Sequence, residues 1–293
     1  MEQHNVSVVI PSKDRANVLE RAIRSAYGQT VRVDEIIVVD DGSSDGTESL
    51  INELTTEFPS LKYVKNPVNK GAPFSRNRGA EESSGSLIAF LDSDDEWMPE
   101  KLEQQIKVME RHNTHAVFTN FEFHRPQGIQ RGKVKEVIEE SDLFGRNILG
   151  GTSSVLVRKD AFISVGGFTV ELRSCQDWDL WIKLAALGKM YCIDQPLVKY
   201  HLDGGNRISA DPSKALDGHK HIFSMVEPKI ANLKAKQANK IKAMQKHRMA
   251  EVYVKNLGMK SKSFSSMIEA IKLWPSFGQF FNFCKIIYFI VFR

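Results

Sequence analysis

LIAFLDSDDEWMPEKL, residues 87–102, poses the question on which the fold of this chain turns. Five apolar residues, Leu87 to Leu91, read as a buried strand. They run straight into Asp92, Asp94, Asp95 and Glu96, four acids within five positions. Carboxylates that close together repel one another. Either they fan into water as an acidic turn capping the helix predicted after Pro99, or a cation offsets them. Alternate residues of an extended segment point the same way, so Asp92 and Asp94 can face one side. Mg2+ and Mn2+ prefer such hard oxygen donors and often take only one or two carboxylates, completing their shell with phosphates.

Outward from this stretch the same pattern repeats. VSVVI (residues 6–10) and EIIVVDD (35–41) are short β-branched runs that read as buried strands. Leu61 to Lys65 and HAVFTN (115–120) read as two more. Helical spacing is predicted over 17–27, 47–58, 71–83 and from Pro99 to about Arg111. Strands alternating with helices predict an α/β layer structure with a mainly parallel sheet, and ligands in such sheets bind at the carboxyl ends of the strands. Three polar segments fall at those ends: Pro11–Arg15, Asp40–Asp45 and Asp92–Glu96. Residues 124–150 read as loops or short helices. TSSVLVRKDAFISVGGF (152–168) then reads as a strand, a short helix and a Gly-Gly turn. DWDLWIKLAALG (177–188) reads as an amphipathic helix, and MYCIDQPLVKYHL (190–202) as two short strands around Pro196. From about residue 211 the chain reads as helical and basic.

The 293 residues are 42% hydrophobic, enough for a substantial core. Cys175, Cys192 and Cys284 lack the spacing of a disulfide framework or a zinc site and suit a reducing compartment. A strand-like run within six residues of the start leaves no room for a signal peptide, so a cytoplasmic location is expected. The net charge of +4 conceals an asymmetry: residues 229–293 hold 13 Lys or Arg against Glu251 and Glu269, leaving −7 for the first 228. Such a tail suggests an anionic partner, membrane or nucleic acid.

The tail ends in SFGQFFNFCKIIYFIVFR. Its sixteen residues from Phe277 to Phe292 are too few to cross a bilayer, which takes about 20 apolar residues. Gln279, Asn282 and Lys285 recur every three residues and form one polar stripe on a helix, with apolar residues elsewhere. That pattern predicts a helix lying in the membrane interface. Packing against the rest of the chain, or a homodimer contact, is the other use open to these residues. The tail's cations are not interleaved with stacking aromatics, so no nucleic-acid partner is expected.

Taken together, VSVVIPSKDRANVLERAIRSAYGQT, EIIVVDDGSSDGT, NKGAPFSRNRGA, LIAFLDSDDEWMPEKL, GGTSSVLVRKDAF with its following GGF, and QDWDLWIKL occur in one characteristic order. In that combination the chain resembles the inverting glycosyltransferases of family 2, of the type that assembles bacterial polysaccharides and glycans. The resemblance covers about residues 5–208 and implies the GT-A fold, a Rossmann-like mixed sheet flanked by helices, here with a basic and hydrophobic helical extension. It implies a catalytic domain over 1–210 and an extension over 211–293.

The resemblance also implies roles. Asp92-Ser93-Asp94 would be the Asp-x-Asp element that holds Mn2+ or Mg2+ on the diphosphate of a nucleotide-sugar, UDP-sugars foremost. Asp41 would accept a hydrogen bond from the nucleobase and Asp40 would lie near the ribose. Pro11 and Arg15 match the first strand end, although Lys13 and Asp14 stand where relatives usually carry an aromatic residue or Asn. Arg76 would lie near the nucleotide. Asp177 would be the catalytic base, beside Gln176 where relatives usually have Glu. His201 would stand close to the diphosphate or metal, and Gly150 to Ser153 would line the acceptor side. Apart from the resemblance, Gly204-Gly205 reads as a hinge, after which Asn206, Arg207 and Ser209 would form a flap over the donor.

The function these roles imply is metal-dependent inverting transfer of a hexosyl or N-acetylhexosaminyl group to a hydroxyl of a saccharide, in many relatives lipid-linked. The acceptor would be met at the cytoplasmic face of a membrane. A sugar nucleotidyltransferase would share the architecture but would carry a Gly-rich basic loop after the first strand, where this chain has PSKDRAN. A nucleic-acid-binding module using the basic tail is the non-enzymatic alternative.

Overall fold

The computed structural model describes residues 5–202 and 212–292. The chain runs β1 (Val6–Ser12), α1 (Ala16–Tyr27), β2 (Glu35–Asp40), α2 (Thr47–Glu57), β3 (Leu61–Lys65), α3 (Ala72–Glu82), β4 (Leu87–Phe90), β5 (Asp95–Trp97) and α4 (Lys101–His112). It continues β6 (Ala116–Arg125), β7 (Gly128–Arg131), β8 (Val137–Ile138), β9 (Leu156–Arg158), α5 (Lys159–Ser164), α6 (Gln176–Ala185) and β10 (Met190–His201). Four helices close it: α7 (Pro212–Ala231), α8 (Ala235–Leu257), α9 (Lys260–Leu273) and α10 (Phe277–Phe292).

Among the described residues, ten strands form one mixed sheet in the order β3-β2-β1-β4-β9-β6-β10-β5, with β7 on β6 and β8 on β10. β1, β2, β3 and β4 are mutually parallel, as are β6 and β10, while β9 runs antiparallel between β4 and β6. Every residue of β1 and β2 is buried, which is why they read as unbroken apolar runs rather than alternating ones. Helices α1, α3, α4 and α5 pack on the sheet. In α1, Leu19, Ala22, Ile23 and Ala26 recur at helical spacing and are the buried face.

Several local readings change. β1 does not stop before Pro11 but runs to Ser12 against β2. Pairing with β4 ends at Val9, so beyond it the missing proline N–H costs no ladder bond on that side. Residues 190–202 do not form two strands: β10 is one strand with register shifts on either side of Pro196. The acidic run itself also continues into a strand, since β5 pairs antiparallel with β10 through Asp95, Glu96 and Trp97. Pro99 stands before α4 rather than in its first turn, and Glu100 is the N-cap.

Chain contacts define two compact units. The first holds the sheet: the chain up to Glu139, Leu149–Val170, and Lys183 to the end of β10. The second gathers Glu140–Ile148, Glu171–Ile182 and the four C-terminal helices. In the second unit Trp178 and Trp181 are buried, and Gln245 donates to the Phe144 carbonyl at 2.9 Å. No helix among the described residues is long and apolar enough to cross a membrane.

Candidate functional site

The acidic turn between β4 and β5 is held by arginines. Arg76 of α3, itself buried, donates to Asp92 Oδ1 at 2.6 Å. Arg15, at the N-cap of α1, lies 4.0 Å from Asp94 Oδ2. Arg21, two turns into α1, donates to the Asp94 backbone carbonyl at 2.8 Å. The repulsion among the acids is therefore offset within the protein. The Asp92 and Asp94 side chains each remain 30% exposed, accessible to a ligand, whereas Asp95 is buried.

Hydroxyls from the short 3-10 turn Thr152–Ser154 complete the support. Thr152 Oγ1 donates to Asp92 Oδ1 at 2.8 Å. Ser153 Oγ donates to Asp95 Oδ2 at 2.5 Å and accepts from the Asp92 backbone N–H at 3.0 Å. The Ser153 carbonyl accepts from Trp97 Nε1 at 2.8 Å. Trp97 is in turn backed by the buried Lys101, whose Nζ lies 4.0 Å from the indole centre. Ser93 is buried within the turn. So Thr152 and Ser153, expected on the acceptor side, touch the acidic turn directly.

The end of β2 forms the neighbouring loop. Asp40 Oδ1 accepts from the Ser43 N–H at 2.9 Å and Oδ2 from Tyr63 Oη at 2.7 Å. Asp41 accepts from Asn66 Nδ2 at 2.9 Å, Lys70 N–H at 2.9 Å and Gly71 N–H at 2.7 Å. Both aspartates are nearly buried, at 1% and 4% exposure, and both shape the loops around them. Gly42 has φ +74°, and a Cβ there would meet the Val68 and Asn69 backbone at 3.3 Å, so only glycine turns without strain. Gly71, at φ +90°, offers its N–H to Asp41 under the same constraint.

The end of β1 knits these loops together. Asp14 donates its N–H to Ser43 Oγ and accepts from the Ser44 N–H, both at 2.8 Å. The Ala16 N–H reaches Asp45 Oδ2 at 3.0 Å, Lys13 Nζ reaches the Gly42 carbonyl at 3.0 Å, and Arg15 turns to Asp94. Lys13 and Asp14, the positions that depart from the family pattern, are thus the ones that hold the β2 loop. Pro11 is buried in β1 just before them.

His201, at the end of β10, bonds through Nε2 to Glu96 Oε2 at 3.0 Å, and Lys199 bonds to Glu96 Oε1 at 2.8 Å. Burial opposes ionisation of Glu96, but these two partners outweigh it and hold its carboxyl below the usual range. Among the described residues no three of His, Cys, Asp and Glu converge as a ready-made metal site. The donor set fits a Mg2+ or Mn2+ ion held by one or two carboxylates, which completes its shell with phosphate and water, rather than a protein cage.

In the second unit, Asp177 lies in the first turn of α6 and is partly buried. Its Oδ2 accepts from Asn147 Nδ2 at 2.9 Å and its Oδ1 from the Trp178 N–H at 2.8 Å. Gln176 turns away to donate to the Leu172 carbonyl at 2.9 Å. Asp179 is fully buried and bonded to His221 Nε2 at 2.9 Å. Burial first and the Asp177 charge second push the thiol of Cys175, at φ +57°, up to about 12, which disfavours its thiolate. Asn147 escaped the sequence reading because nothing marks it within the irregular 124–150 segment. Asn206, Arg207 and Ser209 lie outside the described residues.

Comparison with known proteins bears on the family and the fold. The family model described as glycosyl transferase family 2 matches residues 7–169. An uncharacterized glycosyltransferase of Rickettsia conorii is 34% identical over 232 residues, which is 75% of this chain but 37% of the relative, so the chain spans little more than a third of that protein. The UDP-Glc:alpha-D-GlcNAc-diphosphoundecaprenol beta-1,3-glucosyltransferase WfgD of Escherichia coli is 37% identical over 122 residues, 42% of this chain and 47% of the relative. Among solved structures, S. aureus TarS 1-349 in complex with UDP-GlcNAc superposes with TM-score 0.71 at 18% identity, covering 92% of this chain and 82% of that one.

Proposed function

The chain belongs to glycosyl transferase family 2 and has the GT-A fold, and from that premise we propose that it is an inverting enzyme using a UDP-sugar. The sugar passes to a hydroxyl of a lipid-linked saccharide in the building of a cell-surface polysaccharide or glycan. The observation that carries this reading is the acidic turn, where Asp92 and Asp94 are braced by Arg15, Arg76 and Thr152 yet stay partly exposed. WfgD, whose name specifies UDP-Glc and a diphosphoundecaprenol-linked sugar, supports both the donor and the acceptor class.

In this reading Asp92 and Asp94 would hold Mn2+ or Mg2+. His201 would stand beside them, oriented by Glu96 as carboxylates orient ligating histidines. Once bound, such an ion supplies Lewis-acid stabilisation of the charge on the departing diphosphate. Asp41 and Asp40 form the nucleoside end, with Pro11 and Ser93 as its walls, and Arg15 and Arg76 turn from the acids to phosphate oxygens. Asp177 removes the proton of the acceptor hydroxyl. That oxygen forms its bond to the anomeric carbon as the bond to the diphosphate oxygen breaks, in a single displacement that inverts the centre. Asn147 fixes the carboxylate for that transfer. Residues 1–210 serve as the catalytic domain, and 211–293 as an extension that meets the cytoplasmic face of a membrane.

A thermal-shift panel of UDP, GDP and TDP, with and without Mn2+, tests the reading. Ligand at 100 times Kd adds about 2.7 kcal/mol. UDP with Mn2+ is expected to raise Tm most, and Asp94→Ala to remove the metal-dependent part. If no nucleotide shifts Tm, or the variant keeps its metal-dependent shift, the assignment is wrong.

A further inference from the structure

α10 has two apolar faces, and the second unit uses one of them. Ile286 is buried with Ala250 and Val254 of α8 and Met267 of α9, and Phe283 packs against that cluster. Phe283 also meets Phe264 of α9, their ring centres 5.6 Å apart. On the other side Phe280, Phe281, Ile287 and Tyr288 are 60%, 54%, 37% and 58% exposed, with Cys284 exposed among them. Positions 280, 281, 284, 287 and 288 fall on one stripe of a helix, roughly 120° wide. Phe264, 43% exposed, extends the apolar surface onto α9, with Lys260 one turn before it.

The charge carried by α9 and α10 is mostly of one sign, although Lys272 lines a groove with Glu227 and Glu269 rather than the stripe. α9 and α10 carry Lys260, Lys262, Lys272 and Lys285 against the single acid Glu269, and Glu269 pairs with Lys246 at 2.5 Å. Lys285 stands at the edge of the stripe, its Nζ 4.7 Å from the Phe281 ring centre.

We propose that the Phe280-Phe281-Ile287-Tyr288 stripe of α10 docks in the plane of an anionic lipid bilayer. This deepens the membrane part of the function proposed above and rests on it. The opposite face of the helix is committed to α8 and α9, so its whole circumference is not available to lipid. It therefore lies in the interface, apolar stripe down, with the tyrosine hydroxyl and Lys285 at headgroup level. A second copy of the chain fits less well. Four side chains about half exposed offer roughly 400–500 Å², below the roughly 800 Å² per partner of a stable interface.

The test is co-sedimentation of the full chain with vesicles of 3:1 phosphatidylcholine:phosphatidylglycerol and of phosphatidylcholine alone. Light scattering of the protein alone runs in parallel. Strong binding to the anionic vesicles at low salt is expected, falling at least fivefold on the neutral ones. The double variant Phe281→Glu/Tyr288→Glu should bind at least tenfold less with unchanged Tm, since both side chains are exposed. A Phe281→Trp variant should be quenched by brominated lipid. Absence of binding to anionic vesicles, equal binding by the double variant, or a dimer that the double variant breaks would each overturn the proposal. UDP with Mn2+ is titrated separately, so a chain that docks but binds no nucleotide fails the donor reading alone, and the converse result fails this one alone.

Discussion

Thr152 and Ser153 carry no charge, yet they decide how the acids at the end of β4 are presented. Thr152→Val keeps the shape and removes only the hydroxyl given to Asp92. It is expected to weaken the Mn2+-dependent part of UDP binding about ten- to a hundredfold, the scale of one hydrogen bond to a charged group, and Thr152→Ser should restore it. A Val variant with full metal-dependent binding would leave Thr152 a bystander. At Asp177, the Asn replacement should collapse kcat by 100-fold or more and leave UDP affinity unchanged, the pattern of a group that acts in the transition state. Retained turnover would move the base elsewhere. Of these residues the sequence revealed the carboxylates, because acids at the ends of apolar runs are conspicuous. Arg21 and Asn147 stayed hidden, because their partners stand 73 and 30 positions away and nothing local marks them, while Thr152, expected on the acceptor side, bonds Asp92 across 60 positions.

Glu35 shows what one carboxylate does for whole elements. It opens β2 and accepts from Ser7 of β1 at 2.6 Å, from the Ser84 N–H before β4 at 2.5 Å, and from Lys62 of β3 at 2.5 Å. Burial alone would raise its pKa, but the Lys62 ammonium, the Ser7 hydroxyl and the Ser84 donors outweigh it and hold the carboxyl at about 2. A depressed carboxylate pKa contributes stability that is full above about 4.5 and is lost as pH falls towards about 2. Lys62 is half in water and screens part of the gain, so Glu35→Gln should cost about 2 kcal/mol at pH 7. The difference from the unsubstituted chain should shrink through that acid window. A constant difference between pH 7 and pH 3 would show that the loss is one of packing. At this scale most strands and helices were legible as apolar runs and stripes. β5 was not, because its Asp95-Glu96-Trp97 is polar in sequence and becomes a strand only against β10.

Over the whole molecule, the two compact units cut across chain order, since residues 140–148 and 171–182 join the C-terminal helices. Removing the chain after Pro275 deletes Phe283 and Ile286 from the cluster with Ala250, Val254 and Met267. That should lower the stability of the second unit by several kcal/mol, as cavities of that size do. The UDP shift should persist, because Asp40, Asp41, Arg15, Arg76, Asp92 and Asp94 all lie in the first unit. An unchanged Tm would show that α10 contributes no packing. The sequence by itself carried the layer architecture in its burial periodicity and the family in the order of its motifs, because both are signals written along the chain. Whether α10 packs or stays exposed could not be read there, for an apolar helix does not say which of its faces will find partners. Only the fold decided that Phe283 and Ile286 turn inward while Phe280, Phe281 and Tyr288 stay outside. Only the fold, too, decided that arginines and hydroxyls distant in the chain hold the acidic turn, because those contacts exist once the sheet brings the ends of its strands together.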